Sequence, residues 1–213
     1  MKKYQWFVLF MVISACTATH VTNEWHTPDP LPSRYRRILL VGILPDSVQQ
    51  WRSELESNLA AKLELMGHTA IKSSTSPYHE ILKEKDEKAA VLSLQDAAVD
   101  AVLIITMHVG ITDTKETPCW FDYYLLQDPE YTYFWQYYQL TLSTGSVPKD
   151  NRKVFYWEAN FYDMRDCRLI YSLQSAAIDI RNATTFSHRY SREIMKRLEK
   201  AGIIITLYPS DVE

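Results

Sequence analysis

The chain has 213 residues, 46% of them hydrophobic and only five of them glycine, a composition that builds one well-buried globular domain and excludes a disordered or low-complexity chain. Its formal charge of −3 becomes −5 once the first fifteen residues are set aside, since they carry Lys2 and Lys3 but no acid and leave 21 basic against 26 acidic side chains. A surface of that sign argues against nucleic acid as a partner.

Lys2 and Lys3 precede an apolar stretch, residues 6–13, that is too short to span a bilayer and reads as the core of an export signal. Val12-Ile13-Ser14-Ala15-Cys16 resembles the lipobox of bacterial lipoproteins. The resemblance implies a signal peptide over 1–15, cleavage before Cys16, and diacylglyceryl and acyl chains on that cysteine. The membrane is then a partner through the anchor, and several chains on one residue hold durably where one holds marginally. Thr17, in place of Asp, resembles the outer-membrane pattern of enteric sorting and implies a protein on the periplasmic face of that membrane. An ordinary secretory signal with a chance cysteine, or an uncleaved anchor, is the alternative. With Cys16 assigned to lipid, Cys119 and Cys167 remain, a disulfide or two separately buried thiols in an oxidising compartment.

Residues 17–35 are polar and broken by Pro28, Pro30 and Pro32, so 16–35 is expected to be a lipidated tether and 36–213 a single periplasmic domain. Residues 38–44 form a continuous apolar run, the pattern of a strand covered on both faces. Asp46 and Gln49 look like an N-cap pair. Val48, Trp51, Leu55, Leu59, Leu63 and Met66 then recur at helical spacing, and Gly67 is placed to end the helix. A short strand over 69–72, a helical region over 78–99 and a second buried strand over 101–107 complete a β-α-β-α-β half with parallel pairing.

The second half changes character. Residues 131–143, 153–163 and 168–179 are rich in aromatic and branched side chains and read as an antiparallel meander, with a hairpin turn at Met164-Arg165-Asp166-Cys167. Phe155, Trp157, Ala159 and Phe161 alternate with Tyr156, Glu158, Asn160 and Tyr162, which predicts one core face and one wetter face. A last helix carries Phe186, Tyr190, Ile194 and Leu198 on its buried stripe and Arg189, Arg192, Lys196 and Lys200 on the other. Gly202 ends it before an expected edge strand at 203–207. The fold class is therefore α/β (α+β) around a mixed sheet.

The early "RRILLVGI" strand with its helix and Gly67, and the later "FYDMRDCRLIYS" hairpin, resemble the α/β modules of the TolB N-terminal domain and of the curli-secretion lipoproteins. The resemblance implies an envelope protein without a prescribed reaction.

No residue pattern prescribes one either. The six histidines form neither HExxH nor HxH, and no serine lies in a GxSxG elbow, so no metal, cofactor or nucleophile is expected. The carboxylate pairs Asp163 with Asp166 and Asp128 with Glu130 sit where turns place solvated acids. Read as a strand, the segment around Tyr131, Tyr133, Trp135 and Tyr137 puts these four rings on one face. That row is either core under the helices or a surface for a protein, sugar or lipid partner. The reading reached is a lipid-anchored, non-enzymatic accessory or interaction module with envelope-protein partners. An envelope hydrolase or glycan-active enzyme, signalled by a pocket gathering His108, Glu158 and Asp163, and a polysaccharide or small-ligand binder using the aromatic row are the alternatives. Oligomeric state is not legible.

Overall fold

A computed structural model describes residues 21–29, 35–45, 48–83, 86–111, 133–143, 153–175 and 182–208. Cys16, Cys119, Asp128, Glu130 and Tyr131 lie outside the described residues, as does Asp46. In chain order the elements are β1 (Val21–His26), β2 (Arg37–Ile43), α1 (Gln50–Leu65), β3 (Thr69–Lys72), α2 (Tyr78–Lys83), α3 (Glu87–Asp96), β4 (Ala101–Ile111), α4 (Phe134–Ser143), β5 (Lys153–Asp163), β6 (Arg168–Ser175) and α5 (Ala183–Lys200).

The six strands form one mixed sheet in the order β1-β6-β5-β4-β2-β3. β2 pairs in parallel with β3 and β4, whereas β4, β5, β6 and β1 are antiparallel to one another. The expected β-α-β-α-β half and the hairpin at Met164–Cys167 are both present. β2 and β4 read as unbroken apolar runs because they are buried on both faces. Ile38, Leu40, Leu103 and Ile105 meet α1 and α5, while Leu39, Val41, Val102 and Ile104 meet α2, α3 and α4.

Each helix is positioned by its own sequence. In α1, Trp51, Leu55, Leu59 and Leu63 repeat every four residues and are buried. Gly67 ends the turn at φ +88°, where a Cβ would lie 2.7 Å from the Leu207 carbonyl oxygen. Where one long helix was expected, α2 is described to Lys83 and α3 starts at Glu87, with Asp86 capping α3 by accepting from the Ala89 amide at 3.2 Å. Asn182 caps α5 in the same way, accepting from the Thr185 amide at 3.0 Å. Phe186 on α5 packs 4.3 Å from Trp157 of β5 and stacks on Tyr190 at 5.5 Å, locking the helix to the sheet.

Four expectations are corrected. The aromatic segment is a helix from Phe134, not a strand, because Phe134, Tyr137, Tyr138 and Thr141 repeat at helical spacing and all four are buried. The segment expected to be a tether contains β1, whose residues take partners on the open edge of β6, from Val21 opposite Ser175 to His26 opposite Tyr171. That edge is the one the expected strand at 203–207 would have been free to seek. Residues 203–207 are instead irregular, held by the Leu207 amide donating to the Met66 carbonyl at 2.8 Å. Finally, the predicted wetter face of β5 is buried: Glu158 is 1% exposed, and Asn160 and Tyr162 are fully enclosed.

Candidate functional site

β2 is followed by α1 on one face of the sheet, and the next described helix after β4 is α4 on the other. The carboxyl ends of β2 and β4 lie side by side, between the α1 face and the α4 face. Two polar clusters occupy this end.

The first is built on α1. Glu56, fully buried, accepts through Oε1 from the Gly42 amide (2.9 Å), Arg52 Nε (3.1 Å) and the Ser73 hydroxyl (2.8 Å), and through Oε2 from the Ser74 amide (2.8 Å). Arg52 also donates to the Ser73 hydroxyl at 2.8 Å. Gly42 makes room for this: a Cβ there would lie 2.9 Å from Arg52 Cγ. Arg52 reaches far enough for its charge to oppose the upward shift that burial imposes on the Tyr138 hydroxyl across the sheet end.

The second cluster lies on the α4 face. Tyr137 donates to Glu158 Oε2 at 2.6 Å, Thr106 Oγ1 is 3.1 Å from the Tyr137 hydroxyl, and His108 Nε2 is 3.0 Å from Thr106 Oγ1 and 3.4 Å from Glu158 Oε2. Burial first, and then the Glu158 charge, push the Tyr137 hydroxyl well above its ordinary range, so it keeps its proton and gives it to the carboxylate. Thr106 must then donate to the Tyr137 oxygen, and His108 Nε2–H to Thr106. The chain of donors therefore runs one way, from an imidazole that is 13% exposed to an enclosed carboxylate. Burial and Glu158 raise Tyr162 likewise. Among the described residues, Glu158 Oε1, both ends of the Asn160 amide and the Tyr162 hydroxyl have no hydrogen-bond partner. These residues alternate along β5 and so share one face of the sheet.

The residues singled out in the sequence fall into different surroundings. His108 and Glu158 are brought together. Asp163 is not: it ends β5 opposite Ala101, points to the α1 side to accept from the Tyr35 hydroxyl at 3.2 Å, and holds Arg165. Asp166 is exposed in the turn. Trp135 (7% exposed) and Tyr137 (3%) belong to the core under α4. Tyr133 bridges to Arg168, whose guanidinium lies 5.8 Å from its ring centre. Tyr133 and half-buried Cys167 line a surface groove of about 730 Å3 with Asp86, Glu87 and Asp166 at the opposite sheet end. Cys167 holds a left-handed φ of 59° and makes no disulfide with a described residue, and burial raises its thiol above the ordinary range. His68 is a clamp, with Nδ1 2.7 Å from the Tyr35 carbonyl and Nε2 2.9 Å from that of Ile205. Among the described residues no three His, Cys, Asp or Glu side chains are placed to hold a metal ion, and no helix is long and apolar enough to cross a membrane.

Arg52, Glu56 and Thr106 were not legible as site residues, and Tyr137 stood out only as one ring of the aromatic row. The available signal was polarity inside apolar periods: Arg52 and Glu56 on the buried side of α1, and Thr106 and His108 two apart at the close of an apolar run.

No family model and no curated protein matches the chain. Solved structures with a similar fold include a PelC dodecamer from Paraburkholderia phytofirmans, with 10% identity, TM-score 0.43, and coverage of 83% of this chain and 96% of that one. The lipoprotein GNA1162 from Neisseria meningitidis is also similar, with 14% identity, TM-score 0.38, and coverage of 78% and 96%. A PDZ domain protein from Parabacteroides distasonis has 10% identity and TM-score 0.43, with coverage of 85% of this chain and 37% of that one.

Proposed function

We propose that the chain is a lipid-anchored protein on the periplasmic face of the outer membrane, acting as a non-enzymatic accessory or interaction module in envelope assembly or maintenance, with other envelope proteins as partners. The observation that carries this reading is the closeness of a lipobox-like Cys16 to the fold: β1 begins at Val21, so a lipid on Cys16 is joined almost directly to the sheet. The commitments of the buried polar groups support the non-enzymatic part. Both oxygens of Glu56 and both nitrogens of His68 are spent on holding backbone and neighbouring side chains in place.

Intact mass and fractionation of the native protein beside a Cys16→Ala form test the anchor. A chain starting at Cys16 with two or three acyl chains is expected, with signal retention or release in the variant. An unlipidated soluble native chain refutes the reading. Proteins cross-linked to the native form in envelopes and absent with the variant are the expected partners.

One observation favours a second reading, a small polar ligand or glycan fragment handled on the α4 face. His108 meets Glu158, and Glu158 Oε1 and the Asn160 amide lack partners among the described residues. Thermal-shift titration with muropeptide and oligosaccharide fragments decides it: stabilisation by one of them, lost in Asn160→Leu, favours a ligand site.

A further inference from the structure

We propose that the solvent face of α5 is a docking surface for anionic phospholipid headgroups of the membrane that holds Cys16, an inference that rests on the anchored reading above. The exposed row of this helix is Arg189, Arg192, Lys196 and Lys200, spaced three and four residues apart, with Glu199 as its one acid. The other acid of the helix, Glu193, is turned to Arg197 at 2.8 Å. Arg197 is in turn fixed to Glu24 of β1 at 2.7 Å. A helix face with a net positive charge thus stands on a chain whose balance without its signal is −5.

Placement turns this charge into an orientation. The Arg197–Glu24 contact joins α5 to the strand that begins five residues after Cys16. Five extended residues reach about 18 Å at most, less than the roughly 27 Å length of an 18-residue helix. A lipid on Cys16 therefore keeps the bilayer surface within a short distance of the β1 edge and its companion helix. For an acidic protein held that close to an anionic surface, electrostatics favours the orientation that turns its basic row towards the phosphates. The row is then a device for setting which way the domain faces, leaving the opposite, α2–α3 side open to partners.

The experiment uses the native lipidated protein, reconstituted in phosphatidylcholine vesicles with or without phosphatidylglycerol. An amine-acylating reagent is applied and labelling at each lysine read by mass spectrometry. Lys88, exposed on α3 across the sheet, is the internal reference. Labelling of Lys196 and Lys200 is expected to fall at least about fivefold in the anionic vesicles, the factor one basic side chain near such a surface is worth. It should recover in high salt while Lys88 stays constant. Equal labelling in both vesicle types overturns the proposal. Flotation with the neutral vesicles tests the anchor separately. A protein that floats without protection keeps the anchor and loses the docking face, and one that binds and is protected only in anionic vesicles keeps the docking face and loses the anchor.

Discussion

Replacing Glu56 by glutamine preserves shape and one acceptor oxygen while removing the charge, and so isolates what the buried carboxylate contributes. Four donors converge on it: the Gly42 and Ser74 amides, Arg52 Nε and the Ser73 hydroxyl. In the variant the new NH2 must face at least one of these donors, which leaves a buried N–H unsatisfied at a cost of about 1–3 kcal/mol. Arg52, 7% exposed, also loses Glu56 as an ion-pair partner, and breaking a buried pair by removing one partner costs about 3–5 kcal/mol. The two estimates overlap, so a loss of about 3–4 kcal/mol is expected, near 10 °C in Tm for a chain of this length. Urea unfolding followed by circular dichroism measures it. Pairing the change with Arg52→Met removes the cation that faces this carboxylate, so the double variant should lose less than the sum of the singles by at least about 1 kcal/mol. A Glu56→Gln cost below about 1 kcal/mol, with no change in the denaturant slope, would refute the assignment of this carboxylate as the tie between β2, β3 and α1.

Tyr137→Phe removes the donor to Glu158 and is expected to cost about 1–3 kcal/mol in the same assay. Gly67 and Gly202 both hold positive φ, at +88° and +71°, but only a Cβ at Gly67 meets backbone, so Gly67→Ala should be clearly more destabilising than Gly202→Ala, which carries only about 1 kcal/mol of left-handed strain. Asn182→Ala should cost about 1 kcal/mol through loss of the α5 cap, visible as faster amide exchange at Thr185. Tyr137, Tyr162 and Tyr190 are raised above the ordinary value of 10.0, in each case first by burial. The folded state then holds these protons more tightly than the unfolded chain. The associated stability is whole below pH 10 and falls above it, by up to about 4 kcal/mol per pH unit for three such groups. Tyrosinate absorbance should therefore rise in step with unfolding, and early ionisation of the full tyrosine complement in a still-folded protein would contradict the burial.

The parts of the fold legible in the sequence are those whose pattern is local. The apolar run of β2, the four-residue repeat of α1 with Gly67 after it, the run of β4, the turn around Asp166 and the stripe of α5 each lie within a single stretch of chain. The misread parts depend on distant partners. Val21–His26 is polar enough to look like linker, and it is a strand only because β6 offers it an edge. The segment from Phe134 has the β-prone side chains of a strand and the spacing of a helix, and the need to cover Tyr162 and Val102 decides for the helix. Glu158 and Asn160 look like a solvated face because alternation reports two faces without saying whether the second is covered. The candidate site was half legible for the same reason: His108 and Glu158 stood out as chemistry, but their meeting depends on the register of β4 against β5.

The pairing of Val21 with Ser175 also fixes an order of events during assembly. Synthesis from the amino end delivers β1 first and β6 near the close, so the strand made earliest is among the last that can be seated. Until it arrives, β6 presents an open row of amides and carbonyls on its outer side, the kind of edge on which unrelated strands add. Closure of the sheet is thus delayed until β6 is available, and a segment made early is the one that finishes the fold.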